Sequence, residues 1–293
     1  MGKKWAIFLS VTVLLAACGT VEETYGEHDR KSETAKNQME LKEEETQKGV
    51  IETQGDKTEE SEMEKETEEK STKPKYELNE ESWSLVPLEE GVKKEVVLLT
   101  IDDAPDTYAV EMAHTLNELD AEAIFFVNGH FLDSPEEEEM LKEIHEMGFS
   151  IGNHTYNHAN LTELPKSEQR EEIISLNDRV EEIIGERPRF FRAPHGQNTD
   201  YSTQVAEGED MLVMNWTYGY DYFEPYKDPE KLKTAMVSGE GPEVDIPYSL
   251  LKPGATLLMH DRKWTAEALA GIVQGLREKD YEVAKPSLVQ LDE

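Results

Sequence analysis

The most constraining feature of the chain is an apolar, β-branched-rich run at residues 96–101 that leads directly into Asp102 and Asp103. Such a run is typical of a parallel strand that is buried on both faces. Parallel α/β folds place their chemistry at the carboxyl ends of these strands. If the strand continues through the two aspartates, their side chains point to opposite faces and must do different work. The alternative is a helix N-cap followed by an acidic first turn.

Strands and helices alternate along the chain from about residue 79, which predicts an α/β fold with a parallel sheet or barrel and helices outside it. The predicted strands are at residues 96–101, 122–127, 149–153, 189–192, 211–216, 256–260 and 281–284. The predicted helices are at residues 107–119, 135–147, 166–185, 201–208, 228–236 and 264–278. Glycine and proline residues at 237–253 predict a long loop.

The N-terminal residues have the pattern of a bacterial lipoprotein export signal, predicted at residues 1–17. Two lysines precede an apolar stretch that is too short to span a bilayer. The stretch ends in Leu-Ala-Ala-Cys, which resembles a lipobox, so Cys18 is the predicted lipidation site and membrane anchor. The alternative is an ordinary signal peptide whose cysteine is incidental. Cys18 is the only cysteine, which excludes an intramolecular disulfide.

Residues 18–78 are predicted to form a disordered acidic linker behind that anchor, because they contain few large apolar side chains. Residues 19–80 hold 20 acidic and 10 basic side chains, so most of the net charge of −34 belongs to the predicted folded domain at 79–293. A chain this acidic is not suited to nucleic acid or to an anionic lipid surface. We therefore expect no nucleic-acid partner, and we expect a monomer.

Four further polar motifs follow predicted strands. His154 and His158 come directly after the strand at 149–153, and on a helical turn their spacing puts both rings on one face. Two imidazoles and a carboxylate are a normal zinc ligand set, which leaves one position open for water or substrate. The alternative is a plain surface pair of histidines.

The other three motifs contain an arginine, an aromatic and acidic segment, and a histidine. Arg192 ends an apolar strand and needs an anionic partner, for which the aspartate pair is the obvious candidate. Trp216 follows another strand, with Asp221 and Tyr222 shortly after it. His260 ends a strand beside a carboxylate, which is typical of a general acid. Each motif could instead be a core strand that ends in an ordinary polar turn.

Together these motifs resemble the polysaccharide deacetylase domain, or NodB-homology domain, of carbohydrate esterase family 4, in the lipoprotein form of bacterial peptidoglycan deacetylases. The matching segments are Thr-Ile-Asp-Asp-Ala-Pro at 100–105, His-Thr-Tyr-Asn-His at 154–158, Arg-Ala-Pro-His-Gly at 192–196, Asp-Tyr at 221–222 and Leu-Met-His at 258–260. The resemblance implies a distorted (β/α) barrel with one divalent metal ion at its mouth. Zn²⁺ is the expected ion, with Co²⁺, Ni²⁺ and Mn²⁺ as alternatives.

The resemblance also implies a role for each motif residue. The implied metal ligands are Asp103, His154 and His158. The implied catalytic residues are Asp102 as base, Arg192 orienting that base, His260 as acid and Asp221 tuning that acid. The implied substrate contacts are Leu258, Tyr222 or Trp216 in the acetyl pocket, and His195 near the oxyanion.

The implied activity is hydrolysis of N-acetyl groups on a cell-surface glycan, at the outer face of the bacterial cytoplasmic membrane. Peptidoglycan N-acetylglucosamine is the expected substrate, and chitin oligosaccharides, an exopolysaccharide or an acetyl ester are the alternatives. Two departures from the family pattern bear on turnover. Ala104 replaces a glycine, and His195 replaces the usual tyrosine. They are the only support for a second hypothesis, a wall-binding lipoprotein that keeps the fold without catalysis.

Overall fold

The computed structural model describes residues 73–291, so the predicted export signal, Cys18 and nearly all of the predicted linker lie outside the described residues. The strands are β1 (Tyr76–Asn79), β2 (Ser84–Pro87), β3 (Val96–Ala104), β4 (Ala123–Val127), β5 (Ser150–Asn153), β6 (Phe190–Phe191), β7 (Leu212–Val213), β8 (Ala255–His260) and β9 (Glu282–Val283). The helices are α1 (Ala109–Glu118), α2 (Pro135–Glu146), α3 (Lys166–Ile184), α4 (Asp200–Glu207), α5 (Pro229–Ser238) and α6 (Lys263–Glu278). In this part of the chain, every helix is too short or too polar to cross a membrane.

One curled, mixed sheet forms the centre of the fold, with the strand order β1-β2-β8-β3-β4-β5-β6-β7 and with β9 beside β3. The strands from β8 to β7 are parallel, whereas β1 and β2 pair antiparallel at the edge. The chain after β7 returns to β8, where the N–H of Leu258 donates to the carbonyl of Tyr218 at 2.9 Å. The sheet therefore curls into the expected distorted barrel, and the carboxyl ends of its parallel strands meet at one mouth.

Strand β3 lies at the centre of this sheet, and its apolar run is buried on both faces, as predicted. Leu99 and Ile101 pack with the outer helices in the largest hydrophobic core. Leu98 packs in a second core on the opposite face, with Phe126 of β4 and Phe190 of β6. Because successive strand residues alternate between faces, a strand supplies both cores only when apolar residues occupy positions on each face.

The predicted strands and helices all form, with ends within a few residues of the observed ones. Ser134 begins α2 with a capping box, and Gly185 ends α3 in the left-handed conformation. Two regions differ from the sequence analysis. The β1–β2 hairpin was not predicted, and it starts at Tyr76, before the expected domain boundary at 79. The expected loop at 237–253 contains the end of α5 and a short 3₁₀ turn at Pro242–Val244.

Candidate active site

The end of β3 places two carboxylates side by side in different surroundings. Asp102 is 2% exposed, whereas Asp103 is half-buried and takes a left-handed backbone conformation with a φ of 61°. The pairing of β3 with β4 shifts its register between Ile101 and Ala104, at the same point. Aspartate tolerates this conformation better than most residues. Both carboxylates therefore line the same cleft, although each has its own partners.

Arg192 is fully buried and fixes the orientation of Asp102. Its guanidinium donates to Asp102 Oδ1 at 2.6 Å, to Thr100 Oγ1 at 2.8 Å and to the carbonyl of Asn215 at 2.9 Å. The ring of Phe126 lies 4.2 Å from the guanidinium carbon. A buried guanidinium needs an anionic partner, and Asp102 is that partner, as the sequence predicted.

The two histidines after β5 come together on a loop. The centroids of the His154 and His158 rings are 5.0 Å apart. The spacing predicted a helical turn, and that prediction is wrong, because Thr155 and His158 both have a left-handed backbone conformation. Polar side chains hold the loop instead. Asn153 Oδ1 accepts the N–H of Thr155 at 2.8 Å, and Asn128 Nδ2 donates to the carbonyl of His154 at 2.6 Å.

Asp103, His154 and His158 form a group that fits a divalent metal ion, since one ligand atom of each lies within 4.8 Å of the others. His154 Nδ1 lies 2.7 Å from the carbonyl of Arg192, which can only accept, so Nδ1 carries the proton and Nε2 is free to bind. Burial lowers the pKa of His154, and it lowers the pKa of His158 to about 4. Both rings are therefore neutral at neutral pH, which is the form that binds metal. Two nitrogens and one carboxylate suit Zn²⁺.

The carboxylate of Asp103 is held from two sides. Its Oδ1 lies 3.5 Å from His158 Nε2, and its Oδ2 accepts from Arg262 Nη2 at 2.7 Å. Burial opposes the ionisation of Asp103, but His260, His154, His158 and Arg262 together hold its pKa below the ordinary value. The side chain is thus ionised over the whole neutral range.

His260, at the end of β8, is paired with the fully buried Asp221. Its Nδ1 lies 2.8 Å from Asp221 Oδ1, and its backbone N–H donates to Asp221 Oδ2 at 2.6 Å. Thr265 Oγ1 and Trp264 Nε1 also donate to Asp221, at its Oδ2 and its carbonyl, both at 2.8 Å. Burial by itself would lower the pKa of His260, but Asp221 overcomes that effect and raises it to about 9. The imidazole therefore carries a proton at neutral pH.

A cleft of about 550 Å³ at the barrel mouth brings the predicted site residues together. Those that line it are Asp102, Asp103, His154, His158, His195, Trp216, Asp221, Tyr222, Leu258 and His260. Arg192 lies behind Asp102. Lys227, Arg262 and Trp264 also line this cleft, and the sequence motifs do not predict them. The nearest signal for Arg262 and Trp264 is their position two and four residues after His260.

Two of the three candidates for the acetyl pocket lie close to His260. Leu258 is buried on the same strand, and Tyr222, which is 47% exposed, presents its ring edge-on to His260 at 5.7 Å between centroids. Trp216 also lines the cleft, and its ring centroid lies 5.7 Å from the guanidinium carbon of Arg192. His195 is exposed and left-handed, with its ring centroid 5.1 Å from that of His158. His195 thus lies beside the histidine loop.

Ala104 does not obstruct the cleft. It is fully buried in the main core, and its backbone φ is not positive. The left-handed conformation that would favour a glycine falls one residue earlier, at Asp103. One of the two departures that supported a non-catalytic protein is therefore only a change in packing.

This fold and its cleft define a hydrolase of the carbohydrate deacetylase class. Residues 89–212 match the family model for polysaccharide deacetylase. The chain is 30% identical over 218 residues to a peptidoglycan-N-acetylglucosamine deacetylase of Bacillus cereus, with 72% of this chain and 76% of the relative covered. The chain belongs to the polysaccharide deacetylase family.

Two other similarities add detail. The chain is 31% identical over 230 residues to the peptidoglycan-N-acetylmuramic acid deacetylase PdaC of Bacillus subtilis, and the match covers 76% of this chain but only 44% of that relative. Among solved structures, the fold is similar to that of a CE4 family pseudoenzyme from Bacillus anthracis, with 26% identity, a TM-score of 0.58 and 68% of each chain covered. Similar folds in this family thus include a protein described as a pseudoenzyme.

Proposed function

We propose that the protein removes N-acetyl groups from peptidoglycan N-acetylglucosamine by metal-dependent hydrolysis and releases acetate. The proposal is supported most by the set of side chains that line one cleft. It combines a three-residue ligand group, a buried carboxylate–guanidinium pair and a buried carboxylate–imidazole pair. The name of the Bacillus cereus relative gives the same activity, which supports N-acetylglucosamine as the sugar.

Hydrolysis of an amide requires a polarised carbonyl, a nucleophile and protonation of the leaving amine. A bound divalent ion would polarise the acetyl group and acidify a water molecule. Asp102 accepts the proton of the attacking water, and Arg192 keeps its carboxylate oriented for this step. The water oxygen bonds to the carbonyl carbon, the C–N bond breaks, and His260 gives its proton to the departing amine. Acetate and a free amino sugar are the products.

His260 suits the role of the acid because its pKa, raised to about 9 by Asp221 against the effect of burial, leaves it protonated at neutral pH. Asp221 is itself held by Thr265 and by the backbone of His260, so the ring keeps one orientation. Without that proton the amine would have to leave as an anion, which is far more costly.

We also propose that a lipid on Cys18 holds the protein at the outer face of the cytoplasmic membrane. The lipobox pattern supports the anchor, and the cell-wall relatives support the location. A flexible linker of the length of residues 18–78 has a root-mean-square span of roughly 40–45 Å. The domain would therefore reach the wall while it remains attached to the membrane.

The proposal is tested by treating purified peptidoglycan and chitin oligosaccharides with the protein. Mass spectrometry of the digested glycan is expected to show loss of acetyl groups from the glucosamine residues, with release of acetate. A chelated sample and Asp102→Asn are the controls; the chelated sample is expected to be inactive, and Asp102→Asn to be slower by about 10²–10⁴-fold. A metal-loaded protein that is inactive on every N-acetylated glycan would contradict the proposal and favour a wall-binding protein.

A further inference from the structure

Arg262 lines the cleft, yet the proposed chemistry gives it no task. It is the N-cap residue of α6, two positions after His260. Its Nη2 donates to Asp103 Oδ2 at 2.7 Å, and its Nη1 donates to the carbonyl of Asp261 at 2.9 Å. Nη1 also lies 3.7 Å from the carboxylate of Asp106. The guanidinium is therefore held by several acceptors and has a fixed direction.

The two oxygens of Asp103 consequently face different partners. Oδ1 lies on the side of the ligand group, 3.5 Å from His158 Nε2, whereas Oδ2 accepts from Arg262. A carboxylate can bind a metal ion through one oxygen or through both. We propose that Arg262 is a positioning residue that occupies Oδ2 and so restricts Asp103 to binding a metal through Oδ1 alone. This inference rests on the metal site of the proposed function.

The restriction matters because a catalytic metal site must keep positions open for water and substrate. If Asp103 bound through both oxygens, its second oxygen would occupy one of those positions. Partners that orient a ligand in this way commonly change metal affinity or activity by about 10–100-fold when they are removed. Arg262 therefore controls how many positions the substrate can use.

Asp261 provides a rigid support for this arrangement. Its buried carboxylate accepts the backbone N–H groups of Asp106 and Tyr108, each at 2.7 Å, and of Ala109 at 3.0 Å. These bonds tie the segment after β3 to the end of β8. The distance between Arg262 and Asp103 is thus set by the backbone as well as by the ion pair.

The test compares crystal structures of the Zn²⁺-loaded wild type and the Zn²⁺-loaded Arg262→Ala variant, together with kcat and KM. In the wild type we expect one Asp103 oxygen at about 2.0–2.2 Å from the ion. In Arg262→Ala we expect both oxygens at the ion, retained metal, and a fall in kcat/KM of about 10–100-fold. Arg262→Lys keeps the charge and a donor, so it should stay closer to the wild type. In solution, the visible spectrum of the Co²⁺-substituted proteins reports the same change in coordination.

Arg187→Ala is the matched control. Its side chain is 37% exposed, against 36% for Arg262, and it pairs with Asp178, Glu181 and Glu209 away from the cleft. We expect wild-type coordination and turnover for this variant. Coordination of Asp103 through both oxygens in the wild type, or identical coordination in the wild type and Arg262→Ala, would overturn the inference. A wild type without metal at Asp103 would overturn the metal site itself, and elemental analysis distinguishes that failure.

Discussion

Asp102 and Asp103 are neighbours in the sequence, but their carboxylates bond to different arginines, Arg192 and Arg262. Asp103→Asn should lower metal content and turnover together, because an amide is a poorer ligand than a carboxylate. Asp102→Asn should keep the metal and lower kcat by about 10²–10⁴-fold, the usual range for general acid–base catalysis. The KM for the glycan should change little, since the proton transfer is made in the transition state.

Elemental analysis beside turnover measurements checks both variants. Each variant is the other's control, because the two substitutions remove the same charge with the same change of shape at adjacent positions. An empty site in Asp102→Asn with a filled site in Asp103→Asn would reverse the two assignments.

A second prediction concerns the pH dependence set by His260. Its pKa is raised to about 9 mainly by Asp221, which overcomes the opposite effect of burial. The proton that His260 gives is present below this pKa and is lost as the pH rises through it, so activity should fall on the alkaline side. Asp221→Asn removes the anion, so the pKa of His260 falls and the alkaline loss of kcat should begin at lower pH.

The measurement is the pH profile of kcat for the wild type and for Asp221→Asn, with NMR titration of His260 in the metal-free proteins. Asp178→Asn, an exposed acid on α3 away from the cleft, is the control and should leave the profile unchanged. If the alkaline fall of kcat occurred at the same pH in Asp221→Asn as in the wild type, another group would supply the proton.

The strands and helices that a local sequence pattern specifies could be predicted from the sequence. Those that depend on contacts with residues far along the chain could not. Strand β3 and the six helices follow from apolar runs, periodicity and caps, which are local properties of the sequence. Hairpin β1–β2 was not predicted because its first strand lies in a segment rich in glutamate and lysine. That strand is ordered by distant contacts, such as the burial of Tyr76 and its bridge to Val289.

The same distinction applies within the site. The residue types and their positions at strand ends were enough to predict ten of the residues that line the cleft. The left-handed turn at Asp103 and the non-helical loop at His158 were not predictable, because side chains from other elements hold them. Arg262 was missed because one sequence does not show which carboxylate an arginine will meet.

The hairpin yields a prediction for stability. Gly254, directly before β8, is left-handed with a φ of 80°, and a Cβ there would lie 2.0 Å from the carbonyl oxygen of Leu85 in β2. Gly91 has a similar φ of 90° but nothing within 4 Å of the Cβ position. Gly91→Ala should therefore cost about 1–2 kcal/mol of unfolding free energy from backbone strain alone. Gly254→Ala should cost a further 1–3 kcal/mol, roughly, from the steric clash.

Urea denaturation followed by tryptophan fluorescence measures both free energies of unfolding. Gly91→Ala serves as the control, since it isolates the strain common to both positions. Equal losses in the two variants would mean that β2 can move away from β8 without cost.

Considered as a whole, the chain has a net charge of −34, which determines how it can be held at a membrane. Anionic lipid repels such a domain, so surface electrostatics cannot supply the second signal that a weak anchor needs. Attachment should therefore depend on acyl chains at Cys18, and Cys18→Ala should deplete the membrane fraction. Wild-type protein should resist a high-salt wash and be released by detergent.

Cell fractionation with detection of the protein in each fraction checks this prediction. Thr20→Ala, two residues after the cysteine, is the control and should leave the distribution unchanged. Purified Cys18→Ala protein should keep its turnover on soluble glycan fragments, because Cys18 is far along the chain from every residue of the cleft. In cells, by contrast, its deacetylation of the wall should fall, since the released domain is diluted away from its substrate. An unchanged membrane fraction in Cys18→Ala would contradict the lipid anchor.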